Sequence, residues 1–108
     1  MPLQKDSTGF WFVIDKTKNN GLRLKNGDQC YINAEFFSLE GDLLHTTNTE
    51  IFVGKREKTV VIDLILQKMS RGNEAVIVAP WYLAYGSKGN GHNIIGFTSL
   101  LIKLKVEE

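Results

Sequence analysis

The sequence predicts an α+β fold, a mostly antiparallel sheet with one short helix, on three observations. Several segments alternate apolar and polar residues with the period of two that a strand imposes. A single segment, residues 58–70, spaces its apolar residues four apart. Gly, Asn and Asp dipeptides punctuate the chain at intervals that fit turns between strands.

Taken in order, residues 1–8, "MPLQKDST", carry no periodic signal and read as an N-terminal tail. In "GFWFVIDK", Phe10, Phe12 and Ile14 alternate with Trp11 and Val13, a strand that is apolar on both faces. "TKNNGLRLKNGDQ" offers Asn20-Gly21 and Asn26-Gly27, which reach positive φ cheaply and mark a loop. In "CYINAEFFSL", Cys30, Ile32, Ala34 and Phe36 share one face and Asn33, Glu35 and Phe37 the other. Glu40-Gly41-Asp42 turns the chain, "LLHTT" returns as an antiparallel partner, and "TEIFVGK" forms a further short strand.

Residues 58–70 contain Val60, Val61, Ile62 and Ile65, which favour strands locally. The spacing of Val61, Ile65 and Met69 favours a helix instead, closed by Lys68 and Arg71 in its last turn and by Gly72 at its end. "NEAVIVAP" is a strand as far as Pro80, and "SLLIKLKV" places Leu100, Ile102, Leu104 and Val106 on one face. With no linker, repeat or low-complexity stretch, residues 9–106 form one domain.

Composition narrows the function. Thirteen Lys and Arg against twelve Asp and Glu leave a net charge of +1, which gives no field to draw in nucleic acid or an anionic membrane. Cys30 is the only cysteine, so no intramolecular disulfide forms, and it reads as a buried small hydrophobe. The run "GSKGNG" at 86–91 fits no phosphate-binding fingerprint, and strand rather than helix follows it. His45, His92 and Cys30 lack metal-ligand spacing, so no metal site is expected. Ser87 and Ser99 lie in no nucleophile motif, and Glu50 and Glu57 interrupt the basic run Lys55, Arg56 and Lys58, which reads as solvated surface.

The second half of the chain carries a resemblance. "VGK" at 53–55, "MSRGNEA" at 69–75, "APWYLAYG" at 79–86 and "GNGHNIIGFTSLLIKLKV" at 89–106 resemble, in order and spacing, the FKBP-type peptidyl-prolyl isomerases, and "GDQCYINAEFFSLEGDLLHTT" at 27–47 resembles that family's strand, acidic turn and return strand. Within the family the chain is most similar to a divergent bacterial branch that includes gliding-motility lipoproteins. The resemblance implies a curved antiparallel sheet wrapped around the helix at about 58–70. It also implies a domain that assists protein folding by cis-trans isomerisation of X-Pro bonds, or, as the alternative, a non-catalytic chaperone-like domain that binds peptide or partner.

The partner implied is a proline-containing polypeptide, without nucleic acid, metal or cofactor, and the chain is expected to be a monomer. Membership of that branch implies a periplasmic or lipid-anchored protein if these residues are part of a longer chain, and a cytoplasmic one otherwise.

Residue by residue, Tyr85 matches the family's loop tyrosine, whose hydroxyl donates to a substrate carbonyl and which is the catalytic candidate. Ile94 matches the apolar residue that closes over the pocket. The remaining substrate-binding candidates are substitutions. Ile102 and Ile62 stand where the family has a floor phenylalanine and a basal tryptophan; Ala34 and Leu44 replace a wall tyrosine and phenylalanine; His45 replaces an aspartate at the mouth; Thr49 replaces another wall aromatic. Lys58 and Thr59 stand for a pair of aliphatics. Ile95-Gly96-Phe97 lacks the prolines of the family's loop, which implies a more mobile loop. With most pocket rings replaced, weak or lost activity is expected. Trp81 and Tyr82 are either extra loop packing or an apolar surface for a partner.

Overall fold

The computed structural model describes residues 3–17, 22–55 and 59–107. Six strands form one antiparallel sheet: β1 (Gln4–Lys5), β2 (Trp11–Asp15), β3 (Gln29–Phe37), β4 (Leu43–Phe52), β5 (Glu74–Ala79) and β6 (Leu100–Val106), in the order β1-β2-β5-β6-β3-β4. One helix, α1 (Val60–Leu66), joins β4 at one edge of the sheet to β5 near the other. The sheet curves around it, because each inner strand presents its apolar alternates to the helix: Ile32, Ala34 and Phe36 from β3, Ala75 and Ile77 from β5, and Ile102, Leu104 and Val106 from β6 are all buried. Val61, Ile65 and Met69, the three residues spaced four apart, are each 0% exposed, so the helical period wins over β-branched propensity through burial.

The regular helix is narrower than 58–70. Thr59 is its N-cap, accepting from the Ile62 amide at 3.4 Å, and Gln67 is its C-cap. Beyond Leu66 the chain tightens into turns, with the amides of Lys68 and Met69 donating to the carbonyls of Ile65 and Leu66. Lys68, Arg71 and Gly72 therefore lie past the helix. The cation at its C-terminal end is instead Arg23, whose guanidinium donates to the Gln67 carbonyl at 3.1 Å. Asp63, in the first turn, accepts from the Gly54 amide at 3.1 Å and ties the helix to the chain leaving β4.

Two further segments differ from the sequence expectation. "LLHTT" and "TEIFVGK" are one ten-residue strand, β4, because no Gly or Pro interrupts residues 43–52 and β3 pairs with it from Gln29 to Phe37, with one register shift between Phe36 and Phe37. Within the residues read as a tail, Gln4 and Lys5 pair with Phe12 and Trp11. Two residues are too few to show a period, so this strand exists through its pairing and through Asp6, which binds Lys68 at 3.0 Å. Asn26-Gly27 forms its turn, with Gly27 at φ 89°; Asn20-Gly21 and the basic run 56–58 lie outside the described residues.

Candidate functional site

The connection between β5 and β6 begins with Pro80 and a 3-10 turn, Trp81–Leu83, then folds back on itself before re-entering the sheet at Leu100. Its glycines permit close backbone approach. A Cβ at Gly89, which sits at φ +74°, would lie 2.1 Å from the Ile94 carbonyl oxygen, and one at Gly96 would lie 1.9 Å from that of Ser87. Asn90 closes the turn: its side-chain oxygen accepts from the amides of His92, Asn93 and Ile94 at 3.0, 3.1 and 2.9 Å. These bonds hold in shape a loop that lacks prolines.

Folded this way, the loop turns Ile94 inward, where it is 2% exposed, and leaves Ile95 and Phe97 outside. Trp81 packs edge-on against Phe97 with centroids 4.8 Å apart and against Tyr82 at 5.7 Å. Phe97 holds a left-handed φ of 60°, which costs a bulky residue about 1–3 kcal/mol and is held by the Trp81 contact and by the bond from its amide to the Gly86 carbonyl. Trp81 is thus half-buried loop packing, whereas Tyr82 is 55% exposed.

Tyr85 leans from this loop onto the sheet, half-buried, its ring 5.7 Å from that of Phe36. Phe36 in turn lies 5.5 Å from the ring of His45. A β-bulge produces the second contact. Phe36 pairs with His45 but Phe37 pairs with Leu43, so Leu44 is the extra residue and the strict alternation of β4 breaks there. Leu44 and His45 are consecutive and both half-buried, where a regular strand would turn one of them out. Ala34, two residues before Phe36 on the same face, and Ile102, its register partner on β6, complete the surroundings.

The structure therefore brings Tyr85, His45, Ala34 and Ile102 together around Phe36. Ile62 is 1% exposed on α1, within the core, and Thr49 is half-buried on β4. Thr59 is buried with its hydroxyl oxygen engaged in the helix cap. Lys58 lies outside the described residues. Sequence reasoning missed Phe36 as a member of this group, although its place on the inner face of β3 was legible from the alternation with Ala34.

The Tyr85 hydroxyl has no hydrogen-bond partner among the described residues, and burial raises the phenol above its ordinary value of 10, so it keeps its proton as a donor at neutral pH. Among the described residues no three His, Cys, Asp or Glu side chains come together as a metal group, Cys30 is buried, and no helix is long and apolar enough to cross a membrane. A separate concavity lies elsewhere. It is a groove of about 640 Å³ on the outer face of the sheet, lined by Val13 and Val76 and edged by the mixed charges of Glu35, Glu74, Lys103 and Lys105.

Comparison with solved structures shows the same fold. A crystal structure of AtFKBP13 superposes with a TM-score of 0.85 at 19% identity, over 97% of this chain and 96% of that one. FkpA from Escherichia coli gives 0.83 at 17% identity, over 98% of this chain and 50% of that one. A peptidyl-prolyl cis-trans isomerase from Pseudomonas syringae pv. tomato gives 0.81 at 18% identity, over 98% and 79%. A search of curated proteins found no match. The sequence model of the FKBP-type peptidyl-prolyl cis-trans isomerases matches residues 21–107, most of the sheet together with the helix and the Tyr85 loop, and the chain belongs to that family.

Proposed function

We propose that this domain receives proline-containing polypeptide at the Tyr85 face and isomerises X-Pro bonds weakly or not at all. The observation that carries the reading is the Tyr85 hydroxyl, half-buried, protonated and without a protein partner among the described residues, which leaves it free to donate to a substrate carbonyl. Ile94, turned inward from the same loop, is the apolar lid.

Isomerisation must twist an amide whose resonance sets a barrier of about 18–20 kcal/mol. A protein lowers it by binding the twisted form better than either planar one: an apolar site strips water from the amide while a donor holds the substrate backbone, with no nucleophile and no metal. Weak turnover follows from the walls. Ala34, Ile62 and Ile102 are buried and aliphatic, and each large ring missing from such a site forgoes about 1.5–3 kcal/mol of apolar burial. These walls equally support the second reading, a chaperone-like domain that holds proline-containing segments without turning them over.

Proline exchange in an Ala-Leu-Pro-Phe-type peptide, followed by NMR with and without the protein, separates the two. The expected result is a slight acceleration that Tyr85→Phe removes, with peptide-induced shifts centred on Tyr85 and Ile94. Shifts without acceleration select the non-catalytic reading. A peptide titration that leaves both residues unmoved overturns both.

A further inference from the structure

We propose that Phe36 is an internal plug, the side chain that fills the space beneath Tyr85 where a prolyl ring would have to enter, and that it sets how far this domain can bind and isomerise its substrate. The inference rests on the proposed Tyr85 face and adds the residue that limits it. Phe36 is 0% exposed, although Tyr85 and His45, on either side of it, are both only half-buried. Its ring touches both of theirs, at 5.7 and 5.5 Å. Its neighbours on the same face, Ala34 along β3 and Ile102 across on β6, carry no ring, so the aromatic volume of this spot comes from Phe36 itself.

The rings of the site thus run from Tyr85 through Phe36 to His45, tilted at 60° and 37° to one another, with the middle position taken by the protein. A phenyl ring is somewhat larger than a pyrrolidine ring, so one occupant excludes the other. The β3–β4 ladder is irregular at this point: the bulge between Phe36 and Phe37 interrupts the register beside the plug and leaves Leu44 unpaired in it. When only a fraction of molecules has the plug withdrawn, apparent affinity falls by that fraction, and shrinking the side chain lifts the restriction.

The test is a graded series, Phe36→Leu, Phe36→Val and Phe36→Ala, each checked for a dispersed NMR spectrum, then assayed for peptide affinity and proline exchange. Affinity and exchange should both rise as the side chain shrinks, by at least about tenfold at Ala, and the gain should vanish in Phe36→Ala/Tyr85→Phe. A simple loss of packing would lower stability without raising affinity. Folded variants that bind no better than wild type overturn the plug, while wild-type shifts at Tyr85 and Ile94 still decide the underlying reading on their own. A gain that survives Tyr85→Phe keeps the plug and removes the role of Tyr85. If Phe36→Ala does not fold, Phe36→Val, which removes the ring and much of the volume, decides by itself: affinity no higher than wild type overturns the proposal.

Discussion

Gly89 shows how little tolerance the loop around Tyr85 has at the level of single residues. A methyl group there would meet a backbone carbonyl, which cannot swing aside as a side-chain tip can, and the backbone sits at φ +74°. Gly89→Ala should therefore destabilise the protein by more than about 1 kcal/mol in urea unfolding and shift the Ile94 amide resonance, since the loop can relieve the clash only by opening. The sequence placed Tyr85 and Ile94 in this loop through their flanking motif. It could not show that the Tyr85 hydroxyl lacks a partner, because that depends on which donors and acceptors distant segments bring near. The cap at Thr59, a pocket candidate by its position, is likewise visible only in the structure, where its oxygen accepts from the Ile62 amide.

At the element scale, the short strand β1 depends on charge as much as on pairing. The hydroxyl and amide of Thr8 donate to the Asp6 carboxylate, and Lys68 bridges to it, which together hold its carboxyl down at about 2 from 3.8. A depressed carboxyl stabilises the folded chain above the unfolded value, and that contribution is lost as pH falls through the folded one. Stability tied to β1 should thus decline between pH 4 and pH 2, and Asp6→Asn should narrow its gap from wild type across that window in urea titrations at each pH. Equal losses in both proteins would show that Asp6 contributes nothing. Residues 1–8 gave no periodic signal because a two-residue strand has no period, and its existence is a property of β2 and Lys68.

For the whole molecule, one sheet presents two unlike faces, and the proposed site lies on the inner one. Lys105→Ser, in the outer groove, should leave peptide-induced shifts at Tyr85 and Ile94 unchanged and stability within about 0.5 kcal/mol, as for most surface substitutions; a lost response would move the binding face to the groove. The amino-acid order alone determined the class of fold, the inner faces of β3 and β6, and the helix at Val61, Ile65 and Met69, because burial imposes periods of two and of about four that local reading detects. Its motifs also determined the family. Only the tertiary structure decided that β4 is continuous, that a bulge turns Leu44 and His45 inward together, and that Phe36 fills the space between Tyr85 and His45. Each of these is set by pairing between segments remote in the chain, and a local pattern carries no record of which partner a residue will meet.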